Sequence, residues 1–282
     1  MNAELLVHPG ADPNCPICDR YGITLVREGP YAKVAACSCL STCPTCNGSG
    51  WIARDSSFRA PRIRCACTRM QHRGRRLEEA RIPSRYVEAS LANFDPSGPV
   101  GTAFIAVNSF LHTYSTETPN RGLVLWGDVG RGKTHLAVAL VRELVLRYGV
   151  TARFIEFSHL LTDLKASFER RQGAASLMEE LTEVDVLVVD ELGKGRATEF
   201  EGSVVDELVT RRYNAAATII ATTNYAPIAP QGRATTNLAL GQQQPVSLSD
   251  RVGERVYSRL REVCTFVTVE GDDHRRRRPT RR

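Results

Sequence analysis

The chain has 282 residues, of which 42% are hydrophobic and 24% charged, a balance typical of a soluble globular protein of about two domains. It lacks any run of roughly 20 apolar residues, and its first residues lack the basic and apolar regions of a signal peptide. We therefore expect a cytoplasmic protein without a membrane partner. The formal net charge is +6, and residues 275–282 alone carry six arginines and no acid, so the basicity belongs to a tail.

Eight of the nine cysteines lie near the front of the chain, in two copies of one pattern. In each copy a Cys-x-x-Cys pair is followed, after eighteen residues, by a Cys-x-Cys pair, and a glycine stands four residues after the first pair. Four thiolates on tight turns are the ligands of structural Zn²⁺, whereas disulfides are disfavoured in a reducing cytoplasm. The repeat favours sequential ligand sets, and an interleaved arrangement stays open. The predicted ligands of the two structural zinc ions are Cys15, Cys18, Cys37, Cys39, Cys43, Cys46, Cys65 and Cys67.

These cysteines define a predicted zinc-binding domain over residues 1–70, which has few large apolar side chains and could hardly fold without its metal. Residues 71–98 are predicted to form a linker. The stretch 69–81 at this boundary is rich in Arg and Glu, which indicates either a solvated face, the favoured interpretation, or a nucleic-acid contact. Cys264 has no local partner and is predicted to be a small, buried apolar side chain.

The sequence at 122–134, GLVLWGDVGRGKT, predicts an apolar strand, a glycine-rich turn and the start of a helix, and it matches G-x-x-x-x-G-K-[ST]. Only glycines let the chain curl so that several backbone N–H groups point at a polyphosphate. Lys133 is predicted to reach the β- and γ-phosphates and Thr134 to hold Mg²⁺, beside the positive end of the helix. The predicted ATP contacts here are Gly127, Asp128, Val129, Gly130, Arg131, Gly132, Lys133, Thr134 and His135.

Two further apolar strands end in residues that suit ATP hydrolysis. The run VDVLVVDE at 184–191 is typical of a buried central strand. Asp190 is predicted to position Mg²⁺ through its water shell, and Glu191 to act as the base that orients the attacking water. The run at 218–222 leads to Asn224, which is predicted to hold that water near the γ-phosphate.

Several motifs in this order resemble those of the AAA+ helicase loaders of the DnaC/DnaI type, and the transposition helper IstB shares them. The motifs are IPSRY with LANF between 82 and 94, the loop GDVGRGKT, the strand end VVDELG and the segment ATTNY. The resemblance covers about residues 81–275. It implies an α/β fold, an AAA+ P-loop NTPase with a five-stranded parallel sheet, and a nucleotide at the carboxyl ends of the strands. Residues 99–275 are the predicted ATPase domain, and residues 276–282 a basic disordered tail.

The resemblance also implies residues at the edge of the ATP site. In the family the 82–94 segment lies by the adenine, so Ile82 and Tyr86 are expected either to contact the base or to pack in the core. The sequence GERVYSRL within the predicted helix 248–263 resembles the loaders' arginine-finger helix. This favours Arg259, with Arg255 assisting, as the arginine given to a neighbouring subunit, and hence self-association through the ATP site. Arg275, in a segment similar to the family's closing motif, would be the sensor arginine acting in cis.

Two segments between the motifs are expected to meet single-stranded DNA, because matching positions line the DNA path in the loaders. Single strands are held by aromatic stacking and by cations that follow the phosphates. The two phenylalanines in these segments could equally be core residues. The stretch 226–247 departs from the family pattern and is predicted to be a mobile loop. The candidate DNA contacts are Phe168, Arg170, Arg171, Lys194, Arg196, Thr198 and Phe200.

With its cysteine-rich front, the chain is expected to be an ATP-dependent loader of the replicative hexameric helicase in DNA replication, because DnaI-type loaders carry a zinc-binding domain that docks on the helicase. The duplication of the cysteine pattern elaborates on that plan. One alternative is an IstB-like ATPase that helps a transposase on double-stranded DNA. Another is a zinc-stabilised adaptor that binds ATP as a switch, against which the presence of Glu191, Asn224 and Arg259 argues.

Overall fold

The computed structural model describes residues 7–54, 61–169, 173–228 and 246–273. The chain divides into two compact units, one made of Met1–Ala89 and Val141–Ala152 and the other of Ser90–Leu140 and Arg153–Arg282. Within the described ranges, none of the helices combines the length and the apolar composition that crossing a membrane requires.

The first unit contains two antiparallel hairpins, one in each cysteine copy. Strands β1 (Ile23–Glu28) and β2 (Tyr31–Ala36) form the first hairpin, and β3 (Trp51–Ala53) and β4 (Arg62–Arg64) the second. Helix α1 (Ala66–Glu79) follows directly on the second hairpin.

Helix α1 packs on the first hairpin through a glycine. A Cβ at Gly74 would lie 3.3 Å from Val34 and 3.4 Å from Ile23, so the small residue lets the helix approach the strands closely. Met70 and Leu77 are buried on either side of this position. The predicted linker region after residue 70 is thus helical over most of its first ten residues.

The first unit also includes the second half of helix α3 (Lys133–Tyr148). The hydroxyl of Tyr21 donates to the carboxylate of Glu143 at 3.1 Å, and Arg147 donates to the same carboxylate at 2.6 Å. Burial and the nearby charge of Glu143 raise the pKa of Tyr21. The first cysteine copy is therefore joined to α3 by a buried polar network.

The second unit is built on a five-stranded parallel sheet in the order β6-β7-β8-β5-β9. Strands β7 and β8 are buried along their whole length, as apolar central strands of a parallel sheet are. Because β8 lies between β7 and β5, the three predicted catalytic segments leave neighbouring strands at one edge. The strands are β5 (Gly122–Trp126), β6 (Ala152–Glu156), β7 (Val186–Asp190), β8 (Thr218–Thr223) and β9 (Cys264–Thr268).

Helices flank this sheet, and two of them begin with a capping box. Thr198 with Glu201 caps one, and Ser247 with Asp250 caps the other, so that orphan backbone N–H groups of each first turn are satisfied. The helices are α2 (Gly101–Thr113), α3, α4 (Phe157–Glu169), α5 (Ala174–Glu183), α6 (Glu199–Asn214), α7 (Leu248–Val252) and α8 (Glu254–Val263).

One buried arginine ties α5, α6 and the starts of two strands together. Arg212 is fully buried, and burial lowers its pKa to about 10, so the guanidinium stays charged at neutral pH. A buried charge is tolerated only when hydrogen bonds replace its hydration. The backbone carbonyls that accept from Arg212 belong to Leu181, Thr182, Val184, Asp185 and Thr218.

Candidate nucleotide site and metal centres

Three glycines give the loop after β5 its shape. Gly127, Gly130 and Gly132 have φ of +144°, +82° and +91°, which side chains rarely adopt. A Cβ at Gly127 would lie 2.5 Å from the carbonyl oxygen of Val269, and one at Gly132 would lie 3.0 Å from the Phe94 ring. Both the backbone conformation and the available space thus require glycine in this loop.

Lys133, the first residue of α3, places its ammonium inside the curl of the loop. Its Nζ donates to the carbonyl oxygens of Gly127 at 2.7 Å and of Asp128 at 2.6 Å. Arg131 contacts the Asp128 carboxylate at 3.3 Å, while Val129 is exposed. A buried ammonium beside a helix N-terminus makes a positive site that suits a polyphosphate.

Asp190 lies at the end of β7 and is held by two hydroxyl groups. It is only 1% exposed. Thr134 donates to its Oδ1 at 2.9 Å, and the hydroxyl of Thr222 donates to the same oxygen. Hydroxyl and carboxylate oxygens are the hard ligands that Mg²⁺ prefers. Thr134 and Asp190 are therefore in contact and fit a magnesium ion beside the phosphate loop.

Glu191 follows in a left-handed conformation with φ of +58°. Its N–H donates to Oγ1 of Thr222 at 3.0 Å, which fixes the turn. In contrast to Asp190, 29% of the Glu191 side chain is exposed. Its carboxylate accepts a hydrogen bond from the ammonium of Lys194, and this bond raises the pKa of Lys194. The two neighbouring acids thus have different surroundings, one buried and one open to water.

Asn224 lies beside the start of the phosphate loop. It follows β8 directly and is exposed. The N–H of Gly127 donates to the carbonyl oxygen of Thr223 at 3.2 Å. The three strand ends therefore bring Lys133, Asp190 with Glu191, and Asn224 to one edge of the sheet, which is the arrangement that the sequence predicts.

The eight front cysteines form two clusters, and these are the sequential sets. One holds the four cysteines of the first copy and the other the four of the second, with all sulfur atoms of a set within 4.8 Å of one another. Sulfur–sulfur distances are 3.7 Å for Cys15 and Cys37 and 3.5 Å for Cys18 and Cys39. The second copy repeats these values, at 3.7 Å and 3.5 Å.

This geometry fits zinc and excludes disulfides. Four sulfurs placed tetrahedrally at about 2.3 Å from a zinc ion lie about 3.8 Å apart, whereas a disulfide needs about 2.05 Å. The N–H groups of Gly22 and Gly50 donate to the sulfurs of Cys18 and Cys46 at 3.4 and 3.3 Å. Such bonds stabilise thiolates, so each copy can hold one structural metal ion.

The remaining cysteine is of a different kind. Cys264 at the start of β9 is buried, and burial raises the pKa of its thiol to about 12. A protonated, buried thiol behaves as a small apolar side chain, in line with the prediction for this residue.

A family model described as IstB-like ATP binding protein matches residues 69–281. The chain belongs to this family. The replicative helicase loader DnaC of Escherichia coli (strain K12) is 35% identical to it over 88 residues, which are 30% of this chain and 35% of DnaC. The chain thus spans about a third of the length of the curated relatives it matches first.

Solved structures show the same fold for this IstB-like chain. A crystal structure of the DnaC helicase loader is 27% identical, with a TM-score of 0.55, over 66% of this chain and 99% of that one. A crystal structure of DnaI is 20% identical, with a TM-score of 0.52, over 68% of this chain and 93% of that one. The predicted AAA+ fold with a five-stranded parallel sheet is confirmed, and so is the resemblance to loaders of the DnaC type.

The adenine-side candidates of this IstB-like chain lie in the first unit. Ile82 is buried, and its carbonyl oxygen accepts from the N–H of Ala32 at 2.7 Å. Tyr86 is half-buried in a short 3-10 turn, with Arg85 4.8 Å from its ring centroid. Contact of either side chain with the base stays a prediction.

Phe94 is a residue that the sequence analysis did not assign to the site. Its ring stacks on Phe104 at 5.7 Å, is tilted against His135 at 5.3 Å, and lies over Gly132. A ring nitrogen of His135 is 2.9 Å from the carbonyl oxygen of Ser90. The LANF motif contained the signal, since it ends at this phenylalanine. Phe94 therefore packs against the phosphate loop at Gly132 and His135.

The closing motif reaches the phosphate loop through Asp273. A Cβ at Gly130 would lie 1.9 Å from Oδ1 of Asp273, so this carboxylate lies directly against the loop. The motif is recognisable in the sequence, whereas the contact of this side chain with the loop is not. Arg275 and the tail 276–282 lie outside the described residues.

The two arginine-finger candidates have different surroundings on α8. Arg259 donates to Oδ1 of Asp206 at 2.9 Å and to the hydroxyl of Thr210 at 2.7 Å, and its side chain is 20% exposed. Arg255 is 71% exposed and lies 3.8 Å from Oδ2 of Asp206. One carboxylate on α6 thus holds both guanidinium groups, although a role in a neighbouring subunit stays a prediction for each.

The DNA candidates are spread over several local environments. Lys194 contacts Glu191, and the hydroxyl of Thr198 caps α6 by accepting from the N–H of Glu201 at 3.3 Å. Phe200 packs partly against the core, with Nζ of Lys165 5.2 Å from its ring centroid. Of the others, Arg196 is exposed, Phe168 lies in α4, and Arg170, Arg171 and most of the predicted loop 226–247 lie outside the described residues.

Arg251 is a second residue that the sequence analysis did not assign a separate role. From α7 its Nε donates to the carbonyl oxygen of Gly193 at 2.8 Å, and its guanidinium also donates to the carbonyl of Gly195. It also lies 5.2 Å from the ring centroid of Tyr225. Arg251 therefore fixes the loop that carries Lys194, a contact that needs two segments more than fifty residues apart.

Proposed function

We propose that this chain is an ATP-dependent loader of the replicative DNA helicase. The observation that carries the proposal is the meeting of Lys133, Asp190 and Glu191 at neighbouring strand ends, because an ATPase needs these three groups in one place. The similarity to proteins named DnaC helicase loader supplies the substrate class. Hydrolysis, the helicase partner and single-stranded DNA are all parts of this proposal.

The chain's own residues divide the work of hydrolysis. Lys133 leaves the two loop carbonyls and binds the β- and γ-phosphates of ATP. Thr134 and Asp190 hold Mg²⁺, which when bound neutralises charge on the phosphate oxygens. Glu191 orients the attacking water and takes its proton, with Asn224 holding the water near the γ-phosphate. The exposure of Glu191 supports this division, since a base for water must be reachable by water.

The second part of the proposal concerns assembly. Arg259, with Arg255 assisting, acts on the ATP bound by a neighbouring subunit, so that hydrolysis requires self-association. Such an arginine is worth about 10³-fold or more in related NTPases. Arg275 acts in cis, and Ile82 and Tyr86 lie by the base. The proposed contacts with single-stranded DNA are Phe168, Arg170, Arg171, Lys194, Arg196, Thr198 and Phe200.

The zinc module, defined as residues 7–54 and 61–70, is proposed to dock on the helicase. Zinc in its two cysteine clusters is structural, because four sulfur ligands leave no position for a reacting molecule. The hydrogen bond from Tyr21 to Glu143 supports this proposal, because it fixes the first cysteine copy to α3.

Native mass spectrometry of the full chain with its host's replicative helicase tests this function. We expect a stoichiometric complex in the presence of ATP. Replacing Cys43 and Cys46 with Ser should abolish it, because the zinc module is the proposed docking part. A second candidate, an ATPase that helps a transposase, is favoured by the IstB-like description of the family. Absence of a helicase complex, together with cooperative assembly on duplex DNA, would support that candidate instead.

A further inference from the structure

The two cysteine copies give an internal comparison of two hairpins with the same length. The first runs from Ile23 to Ala36 and the second from Trp51 to Arg64, and each starts five residues after its Cys-x-x-Cys pair and ends just before its Cys-x-Cys pair. Each residue of the second hairpin therefore has an equivalent in the first, and the burial of the two can be compared.

In the first copy, one face of the hairpin is partly covered, and Ala36 at its end is exposed. Ile23 and Leu25 lie on it together with Val34 and Ala36, their cross-strand partners. Ile23 and Val34 contact Gly74 of α1, and Leu25 is buried. The opposite face carries Glu28 and Lys33 and is balanced in charge.

In the second copy, the equivalent face is open and has a different composition. It carries Trp51 opposite Arg64 and Ala53 opposite Arg62, and all four residues are exposed. The Trp51 side is therefore turned away from Ile52, which packs on the second thiol cluster. The described part of this hairpin also includes the exposed Arg54, and the one acid in its sequence, Asp55, lies outside the described residues.

The aromatic ring on this face is already paired with one of the two cations. The guanidinium carbon of Arg64 lies 4.2 Å from the centroid of the Trp51 ring, and 40% of Trp51 is exposed. An exposed tryptophan bordered by arginines is the combination that binds a single strand, because a base stacks on the ring while the cations meet the phosphates. An apolar protein surface would supply no negative charge for these arginines, and double-stranded DNA would offer no unstacked base to the ring.

Basic residues continue beyond the hairpin in the direction of the chain. Helix α1 begins two residues after Arg64. Its Arg69, Arg75 and Arg76 are exposed, and the helix has no acidic residue before Glu78. The stretch from 61 to 77, which covers the second strand of the hairpin and most of helix α1, thus has charge of a single sign. Its counterpart after the first hairpin, 37–42, has no charged residue.

We propose that the outer face of the second hairpin, formed by Trp51, Ala53, Arg62 and Arg64, is a binding site for single-stranded nucleic acid. One hairpin of the duplication serves the fold, and the other, held in shape by its own metal cluster, presents a stacking surface. This site extends the proposed function but does not rest on it, since it requires neither ATP nor the helicase.

Fluorescence of Trp51 tests the site directly. The chain has two tryptophans, so the full chain carrying Trp126→Phe reports on Trp51 alone. We expect an oligothymidylate to quench this emission in the absence of nucleotide. Trp51→Ala should weaken binding of the oligonucleotide by about fivefold or more, whereas Trp51→Phe should retain most of it with unchanged zinc content.

A charge variant with a matched control completes the test. Arg62→Ala with Arg64→Ala should reduce the slope of log K against log salt by about 1.4, as expected for two phosphate contacts on a single strand. Arg27→Ala with Lys33→Ala removes the same charge from the first hairpin and should change the slope little. Unquenched Trp51 emission, equal losses in both pairs, or loss of helicase binding with oligonucleotide binding intact would each overturn the proposal.

Discussion

The ammonium of Lys194 donates a hydrogen bond to the carboxylate of Glu191, three residues earlier in the chain. Its Nζ also lies 4.0 Å from Oε1 of Glu156 at the end of β6. Glu191 is the proposed base for the attacking water, and Lys194 is a proposed partner of DNA phosphate. We propose that a DNA phosphate draws this ammonium away from Glu191, so that the ion pair links the state of the DNA path to the base.

Lys194→Met should raise ATP turnover measured without DNA. Removing the ammonium frees the Glu191 carboxylate, and an exposed ion pair is worth up to about 1 kcal/mol, which corresponds to an increase of about two- to fivefold. Stimulation by single-stranded DNA should shrink by the same factor. Lys165→Met, which removes a similar exposed cation near Phe200, is the control. Unchanged basal turnover with full stimulation would show that the pair does not restrain the base.

The same pair should be insensitive to pH around neutrality. The hydrogen bond raises the pKa of Lys194, so the ammonium stays charged, and its contribution is lost only as pH rises through that elevated pKa. The ratio of Lys194→Met to wild-type basal turnover should therefore be constant between about pH 6 and 9. A ratio that changes steeply within this range would contradict the assignment.

Arg259→Ala should bind ATP normally and hydrolyse it at least about 10³-fold more slowly. Glu191→Gln should also bind ATP and fail to turn it over. If the site is shared between subunits, an equal mixture of the two variants should regain part of the turnover, because some interfaces then hold one intact Glu191 and one intact Arg259. Asp206→Ala, which removes the internal partner of Arg259, controls for a purely structural effect. A mixture that remains inactive would contradict action in trans.

Replacing Cys43 and Cys46 with Ser should release about one of the two zinc ions, measured by mass spectrometry of metals. The second copy should lose its hairpin, because beyond the four thiols only Ile52 is packed against its cluster in the described residues. The same change at Cys15 and Cys18 should also loosen the contact of Tyr21 with α3. Retention of two zinc ions by either variant would show that the sulfurs do not hold the metal.

Arg212→Met should lower the free energy of unfolding by about 3 kcal/mol or more, since it leaves several buried carbonyl groups without a hydrogen bond. Urea denaturation measures this change. The neighbouring Arg211 is exposed and pairs with Glu207 on the same helix, so Arg211→Met should cost less than about 1 kcal/mol. Similar losses in the two variants would contradict the role of Arg212 as the buried tie between α5, α6 and the strands.

The sheet and the phosphate loop could be predicted from the sequence because their signals are local. The apolar runs that end at Trp126, Asp190 and Thr223 mark buried parallel strands, and Gly127 to Thr134 is a contiguous motif. Sequential pairing of the cysteines was likewise favoured by the repeat. Residues that are close in sequence determine these features, so the spacing and type of the residues are enough to predict them.

The contacts that modulate the site could not be predicted in the same way. Arg259 meets Asp206 from 53 residues away, and Tyr21 meets Glu143 from 122 residues away, so only the packing of helices brings each pair together. Lys194 and Glu191 are only three residues apart, but their contact depends on the left-handed backbone conformation of Glu191. Because non-glycine residues rarely adopt this conformation, it could not be predicted from the sequence. Tertiary structure decides such contacts.

The most direct test of the proposed function is helicase loading onto a single-stranded DNA circle coated with single-strand binding protein, measured with the wild-type chain and with Lys133→Ala. We expect the wild-type chain with ATP to yield helicase bound to DNA and unwinding of an annealed strand, and Lys133→Ala to yield neither. Loading that is unaffected by omitting the chain, or equally efficient with Lys133→Ala, would contradict it.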